Sequence, residues 1–127
     1  MIRINTYEDI ENQRKGNKLS ETFLNELERY FKDIVESLTD DADAWRTYDL
    51  KAEGPIWILE PDTDNPENLP DLGSLYEAPI EFTSVVKLTR EEYFRTILVL
   101  DNEYCLVVFS EIGGFPKLDE LLQNYLA

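Results

Sequence analysis

The feature that most limits what this chain can fold into is a stripe of apolar side chains over residues 19–39. Leu19, Phe23, Leu24, Leu27, Tyr30, Phe31, Ile34, Val35 and Leu38 recur at intervals of three and four. That period is one face of an amphipathic helix, and such a face must be buried against a partner surface. Ser20 stands where an N-cap belongs. Asp40, Asp41 and Asp43 follow the last stripe residue, so the helix is expected to end within residues 39–44. Its end is weakly signalled, because carboxylates at a helix C-terminus oppose the dipole. A shorter helix is expected ahead of it, capped by Thr6 and broken at Lys15-Gly16-Asn17.

The remaining patterns have the period of strands. Trp45 to Leu50 is a candidate strand, and Ile56-Trp57-Ile58-Leu59 is a short apolar run that suits a buried one. Residues 80–88 alternate, with Ile80, Phe82, Ser84, Val86 and Leu88 on one face and Glu81, Thr83, Val85 and Lys87 on the other, the pattern of a half-buried strand. Residues 96–100 and 104–109 flank Asp101-Asn102-Glu103 as a hairpin. Both of its strands are apolar on both faces, which places them in the middle of a sheet. Thr89-Arg90-Glu91-Glu92 has capping-box spacing and predicts one helical turn. Pro116 opens a last short helix whose stripe is Leu118, Leu121, Leu122, Tyr125 and Leu126.

The expected class is therefore α+β. An antiparallel sheet of four or five strands is packed by the long N-terminal amphipathic helix and by the short C-terminal one. The chain has 127 residues, which suits a single domain over residues 1–127. Its first residues carry no apolar leader, no run approaches membrane-spanning length, and the single cysteine, Cys105, allows no internal disulfide. A cytoplasmic location is the expectation.

Charge sets the functional expectation. Twelve basic residues face twenty-seven acidic ones, a net of −15. Residues 1–32 sum to zero, residues 33–86 to −12 and residues 87–127 to −3. Such a surface repels phosphate backbones and anionic membranes, so neither nucleic acid nor membrane is an expected direct partner. A basic partner is favoured. Residues 61–79 combine four prolines and several carboxylates with Leu69, Leu72, Leu75 and Tyr76. Apolar anchors within a charged rim are the makings of a protein interface. The acidic candidates are Asp33, Glu36, Asp40, Asp41 and Asp43 at the helix end, and Glu60, Asp62, Asp64, Glu67, Asp71 and Glu77 further on. The plainer alternative is a solvated acidic surface that serves solubility alone.

Most site chemistry finds no support. The chain has no histidine, so no Ser–His, Cys–His or histidine-based metal site can form within it. Asp62-Thr63-Asp64-Asn65 begins like a calcium loop, but Glu67 occupies its sixth position and Gly73 its twelfth. Pro61-Asp62 has no downstream acidic-x-Lys partner for a nuclease centre. Gly113-Gly114-Phe115-Pro116-Lys117 enters a helix without a phosphate-loop pattern. Adjacent carboxylates such as Glu91 and Glu92 show no cleft by spacing alone, and Cys105, Trp45, Trp57 and Tyr48 read as core or sheet-face residues.

No catalytic residue, metal ligand or cofactor is assigned from these patterns. The expected function is a non-enzymatic acidic binding protein that inhibits or neutralises a basic, nucleic-acid-acting protein. Two types fit: an immunity protein of a toxin system, and a phage-type inhibitor that mimics nucleic acid. The alternatives are a small-ligand-binding or carboxylate-dependent enzyme domain, and a structural assembly subunit.

Overall fold

Local capping decides where the helices begin. In the computed structural model, which describes residues 1–50, 54–60, 80–88, 92–100, 104–124 and 126, helix α1 runs Tyr7–Gly16 and α2 runs Glu21–Leu38. Thr6 Oγ1 accepts from the Asp9 N–H at 3.4 Å, and Asp9 Oδ2 accepts from the N–H groups of Thr6 at 3.0 Å and Asn5 at 2.8 Å. This capping box satisfies donors that the first turn would leave orphaned. Asn17 ends α1 in the left-handed region at φ 57°, its N–H bonded to the Gln13 carbonyl. Ser20 Oγ then accepts from the Phe23 N–H at 3.2 Å and opens α2.

Two units make up the chain, Ile4–Ala52 and Met1–Arg3 with Glu53–Ala127. In the first, five residues of the predicted stripe are buried: Phe23, Leu24, Leu27, Phe31 and Val35 are all at most 1% exposed, while Leu19, Tyr30 and Ile34 are half-buried and Leu38 is exposed. Ile10 of α1 and Leu50 are buried too, and the Leu50 N–H donates to the Asn5 carbonyl at 2.8 Å. The expected strand at Trp45–Leu50 is not formed. Ala44–Arg46 is a 3-10 turn, followed by bonds from the Thr47 and Tyr48 N–H groups to the Ala44 carbonyl. Trp45 makes a ring contact within the helical unit rather than joining a ladder: it meets the Tyr7 ring edge-on at 4.7 Å.

The second unit holds β2 (Ile56–Ile58), β3 (Ile80–Leu88), β4 (Tyr93–Leu100), β5 (Tyr104–Glu111) and α3 (Pro116–Gln123), while β1 (Ile2–Ile4) starts in it. Strand order in the sheet is β1-β2-β5-β4-β3. β3–β4 and β4–β5 are antiparallel, with Leu100 opposite Tyr104, and β5 is central as its two-faced apolar character requires. The sheet is nevertheless mixed, not antiparallel. β2 pairs parallel to β5, Ile56 beside Val107 and Ile58 beside Phe109. The run Ile56-Trp57-Ile58 is buried throughout. That pattern signals burial and carries no information on direction.

The described end of β3 buries the face opposite to Val86 and Leu88. Val85 is fully buried, while Val86 and Leu88 are half-buried. A register shift lies between Phe82 and Ser84, and an extra residue there breaks the strict two-residue alternation. Val85 joins Trp57, Leu59, Phe94, Val108, Phe115, Leu118 and Leu122 in the core. α3 contributes Leu118 and Leu122, leaves Leu121 40% exposed, and is followed by Leu126, which bridges to Val85. Gly113, at φ 94°, donates its N–H to Asp119 Oδ2 at 2.7 Å, so a carboxylate of the chain's own occupies the glycine loop. The predicted turn at 89–92 lies mostly outside the described residues. The Cys105 and Tyr125 side chains also lie outside them. Among the described residues no helix is long and apolar enough to cross a membrane.

Candidate functional site

Arg14 of α1 reaches across to α2. Its guanidinium donates to Glu11, to Glu28 at 3.0 Å, to Glu21 at 3.3 Å and to Asn25 at 3.1 Å. Burial alone would lower the pKa of Arg14, but the bonds to Glu28 and Glu11 outweigh it and raise it. Burial likewise disfavours the Glu28 carboxylate, yet hydrogen bonds from Tyr7 and Arg14 hold its pKa below the usual carboxylate range. Burial, then hydrogen bonds to Glu28 and Glu11, push the Tyr7 phenol up to about 12. The three charged partners of Arg14 form a network that clips α1 to α2.

Toward the end of α2, carboxylates lack such a network among the described residues. Asp33, Glu36, Asp40, Asp41 and Asp43 are all exposed. The cations nearby are directed elsewhere: Arg29 pairs with Glu26, and Lys32 Nζ bonds Glu28 at 3.4 Å. Lys32 lies four residues from both Glu28 and Glu36. Glutamate on the N-terminal side of lysine is the better orientation, and Lys32 takes it, leaving Glu36 unpaired. Arg46 approaches Asp43 at 3.9 Å, with both side chains mostly solvated, a contact of little energetic weight. Among the described residues Asp33, Glu36 and Asp40 have no cation within ion-pair distance. Backbone bonds fix the turn that carries the rest: Thr39 Oγ1 accepts from the Asp41 N–H, and Asp41 Oδ1 from the Asp43 N–H at 2.9 Å.

Among the described residues no group of three or more acidic or cysteine side chains is arranged to hold a metal ion. The helix-end carboxylates are exposed to solvent. Between them lies a cavity of about 180 Å³ lined by Lys32, Val35, Glu36, Asp41, Ala42 and Trp45. Trp45 forms its aromatic wall, with Lys32 Nζ 4.1 Å and the Arg46 guanidinium 4.7 Å from the ring centre. Leu38, the last residue of the α2 stripe, is 44% exposed beside this cluster.

Of the candidates read from the sequence, Asp33 and Glu36 lie in the last turns of α2 and Asp40, Asp41 and Asp43 follow it, all exposed. Glu60 belongs to the other unit and is engaged: its Oε1 accepts from the Met1 ammonium at 2.9 Å. Asp62, Asp64, Glu67, Leu69, Asp71, Leu72, Leu75, Tyr76 and Glu77 lie outside the described residues. Sequence reasoning missed Leu38 and Trp45, assigning the first to the buried stripe and the second to a strand. The available signal was position: both flank the acidic run at 40–43. No family model, curated protein or solved structure matches the chain.

Proposed function

We propose that this chain is a non-enzymatic acidic binding protein that inhibits or neutralises a basic, nucleic-acid-acting protein. The observation that carries the reading is the arrangement at the end of α2. Glu36 sits in the last turn and Asp40, Asp41 and Asp43 just beyond it, exposed, where negative charge works against the helix dipole. Acidic residues that weaken the element they sit on are explained by use outside the fold. Exposed Leu38 and the Trp45 cavity add apolar contact to that charge. A pure nucleic-acid mimic needs charge alone, so their presence favours the immunity type, in which carboxylates and apolar anchors together cover a toxin's basic site.

Capture of partners from native lysate at low and high salt, followed by binding measurements on the recovered protein, tests the reading. A basic nucleic-acid enzyme should be recovered, and its activity should fall when the chain is added. Association should slow steeply as salt rises. Reversing Asp33, Glu36 and Asp40 to lysine should abolish binding with the fold intact, and the same reversal at Asp62, Asp64, Glu67 and Asp71 tests the second acidic segment. A partner of neutral or acidic surface, bound independently of salt, would refute the proposal.

A further inference from the structure

β3 is last in the strand order and takes its ladder from β4. An edge strand of nine residues offers a row of N–H and C=O groups to any further strand. The run from Ile80 to Leu88 has no proline or glycine, and its two charges, Glu81 and Lys87, cancel; that is the composition of a strand that pairs readily. Among the described residues one contact lies on this edge. Leu126 bridges to Val85 in parallel, and because Val85 already faces Thr96 of β4, Leu126 takes the side away from the ladder. Turn bonds bring the chain back from α3: the Asn124 N–H donates to the Leu121 carbonyl at 3.2 Å and the Leu126 N–H to the Gln123 carbonyl at 3.5 Å. Leu126 also packs against the core that holds Val85, Leu118 and Leu122. We infer that the segment after α3 is a strap that closes the β3 edge against a second copy of this chain. A second copy fits because Glu81 and Lys87 stand three residues to either side of Ser84. Two β3 strands paired antiparallel about Ser84 set the Glu81 of each at the position of the other's Lys87, to within the one residue that the register shift between Phe82 and Ser84 adds. Such a pairing is isologous and closes at two chains. The net charge of −15 is a further barrier, acting at long range where the strap acts at contact. The strap is independent of the proposed function, and self-pairing has the opposite salt dependence from binding a basic partner.

Ending the chain after Asn124 removes the strap and keeps α3 whole; Leu126→Ser is a milder second variant that keeps the segment. Light scattering at low and at raised salt gives the mass, and amide hydrogen exchange follows β3. The unmodified chain should stay at one copy in both salts, with protected amides within residues 84–86. The shortened chain should lose that protection at low salt and shift to twice the mass as salt screens the net charge, and Leu126→Ser should move the same way. Lys87→Glu in the shortened chain should hold it at one copy, and Lys87→Glu with Glu81→Lys should restore the doubled mass, a rescue that a mere loss of packing would not produce. Exchange at residues 84–86 of the unmodified chain as fast as at exposed amides would overturn the strap with no variant needed. Strapless variants that melt cooperatively yet stay at one copy in raised salt, or that associate whatever the charges at 81 and 87, would overturn the second copy as the strand kept out. Neither result touches capture of a basic partner, which weakens as salt rises.

Discussion

Removing the charges of Glu36 and Asp40 should make the protein more stable. Glu36 lies in the final turn of α2, and Asp40 follows the cap residue Thr39, whose N–H closes on the Val35 carbonyl at 3.1 Å. Neither carboxylate has a hydrogen bond or ion pair among the described residues, so Glu36→Gln with Asp40→Asn sacrifices no contact there. Each neutralisation relieves an unfavourable dipole interaction of about 0.3–1 kcal/mol. The first also removes like-charge repulsion with Asp33, three residues back, worth about 0.2–0.5 kcal/mol. The double variant should gain about 1–2 kcal/mol, which for a chain of this size raises Tm by about 3–8 °C. Circular-dichroism melts at low and at molar salt measure it. The gain should shrink in high salt, where screening acts over about 3 Å. A Tm that stays level or falls at low salt would refute the view that this acidic end is held against the interests of the fold.

Three further outcomes follow from the same structure. Arg14→Met keeps the aliphatic stem but leaves Glu28 without its guanidinium, and should lower stability by about 1–3 kcal/mol in urea denaturation, since part of the network is solvent-screened. Phe94→Ala, at a fully buried core position, should cost about 3–5 kcal/mol and broaden or abolish the cooperative melt. Tyr7 and Tyr93 both have phenols pushed up to about 12, Tyr93 by burial and then by Glu111 and Glu92. The unfolded chain loses those protons near 10 while the folded chain keeps them, so their stability contribution is complete below pH 10 and disappears as pH rises to about 12. Phenolate absorbance together with alkaline melts should show this, and Tyr7→Phe should flatten part of the slope.

What the sequence made legible is what depends on near neighbours. Thr6, Asp9 and Ser20 act on donors within three or four residues, so the helix starts could be read directly. The α2 stripe and the central hairpin are periodic, and period survives without knowledge of the partner. The errors lie where a distant or one-residue effect intervenes. A register shift near Phe82 breaks the alternation of β3, which the residue pattern cannot reveal. Trp45 and Tyr48 have strand-like composition but settle in and just after a 3-10 turn that follows α2. The direction of β2 depends on the chain between it and β3, not on Ile56-Trp57-Ile58. Within the site, the acidic run at 33–43 was visible as composition. Its availability was not, because it depends on Lys32 taking Glu28 over Glu36, a choice of side-chain conformation. Glu60 shows the converse, a carboxylate counted as free that is bonded to the Met1 ammonium.

The parallel pairing of β2 with β5 imposes an order of events on synthesis. Ile56, Trp57 and Ile58 are made early, yet the strand that flanks them is Val107 to Phe109. β3, β4 and β5 can zip together as successive antiparallel neighbours, whereas β2 must wait for a closure of long loop length. During that interval an apolar triplet stands beside only the three residues of β1. The stretch that leaves the ribosome next, from Glu60 to Glu77, contains no lysine or arginine. Its carboxylates follow the waiting strand closely in sequence, the pattern by which gatekeeper residues keep nascent chains from pairing with one another.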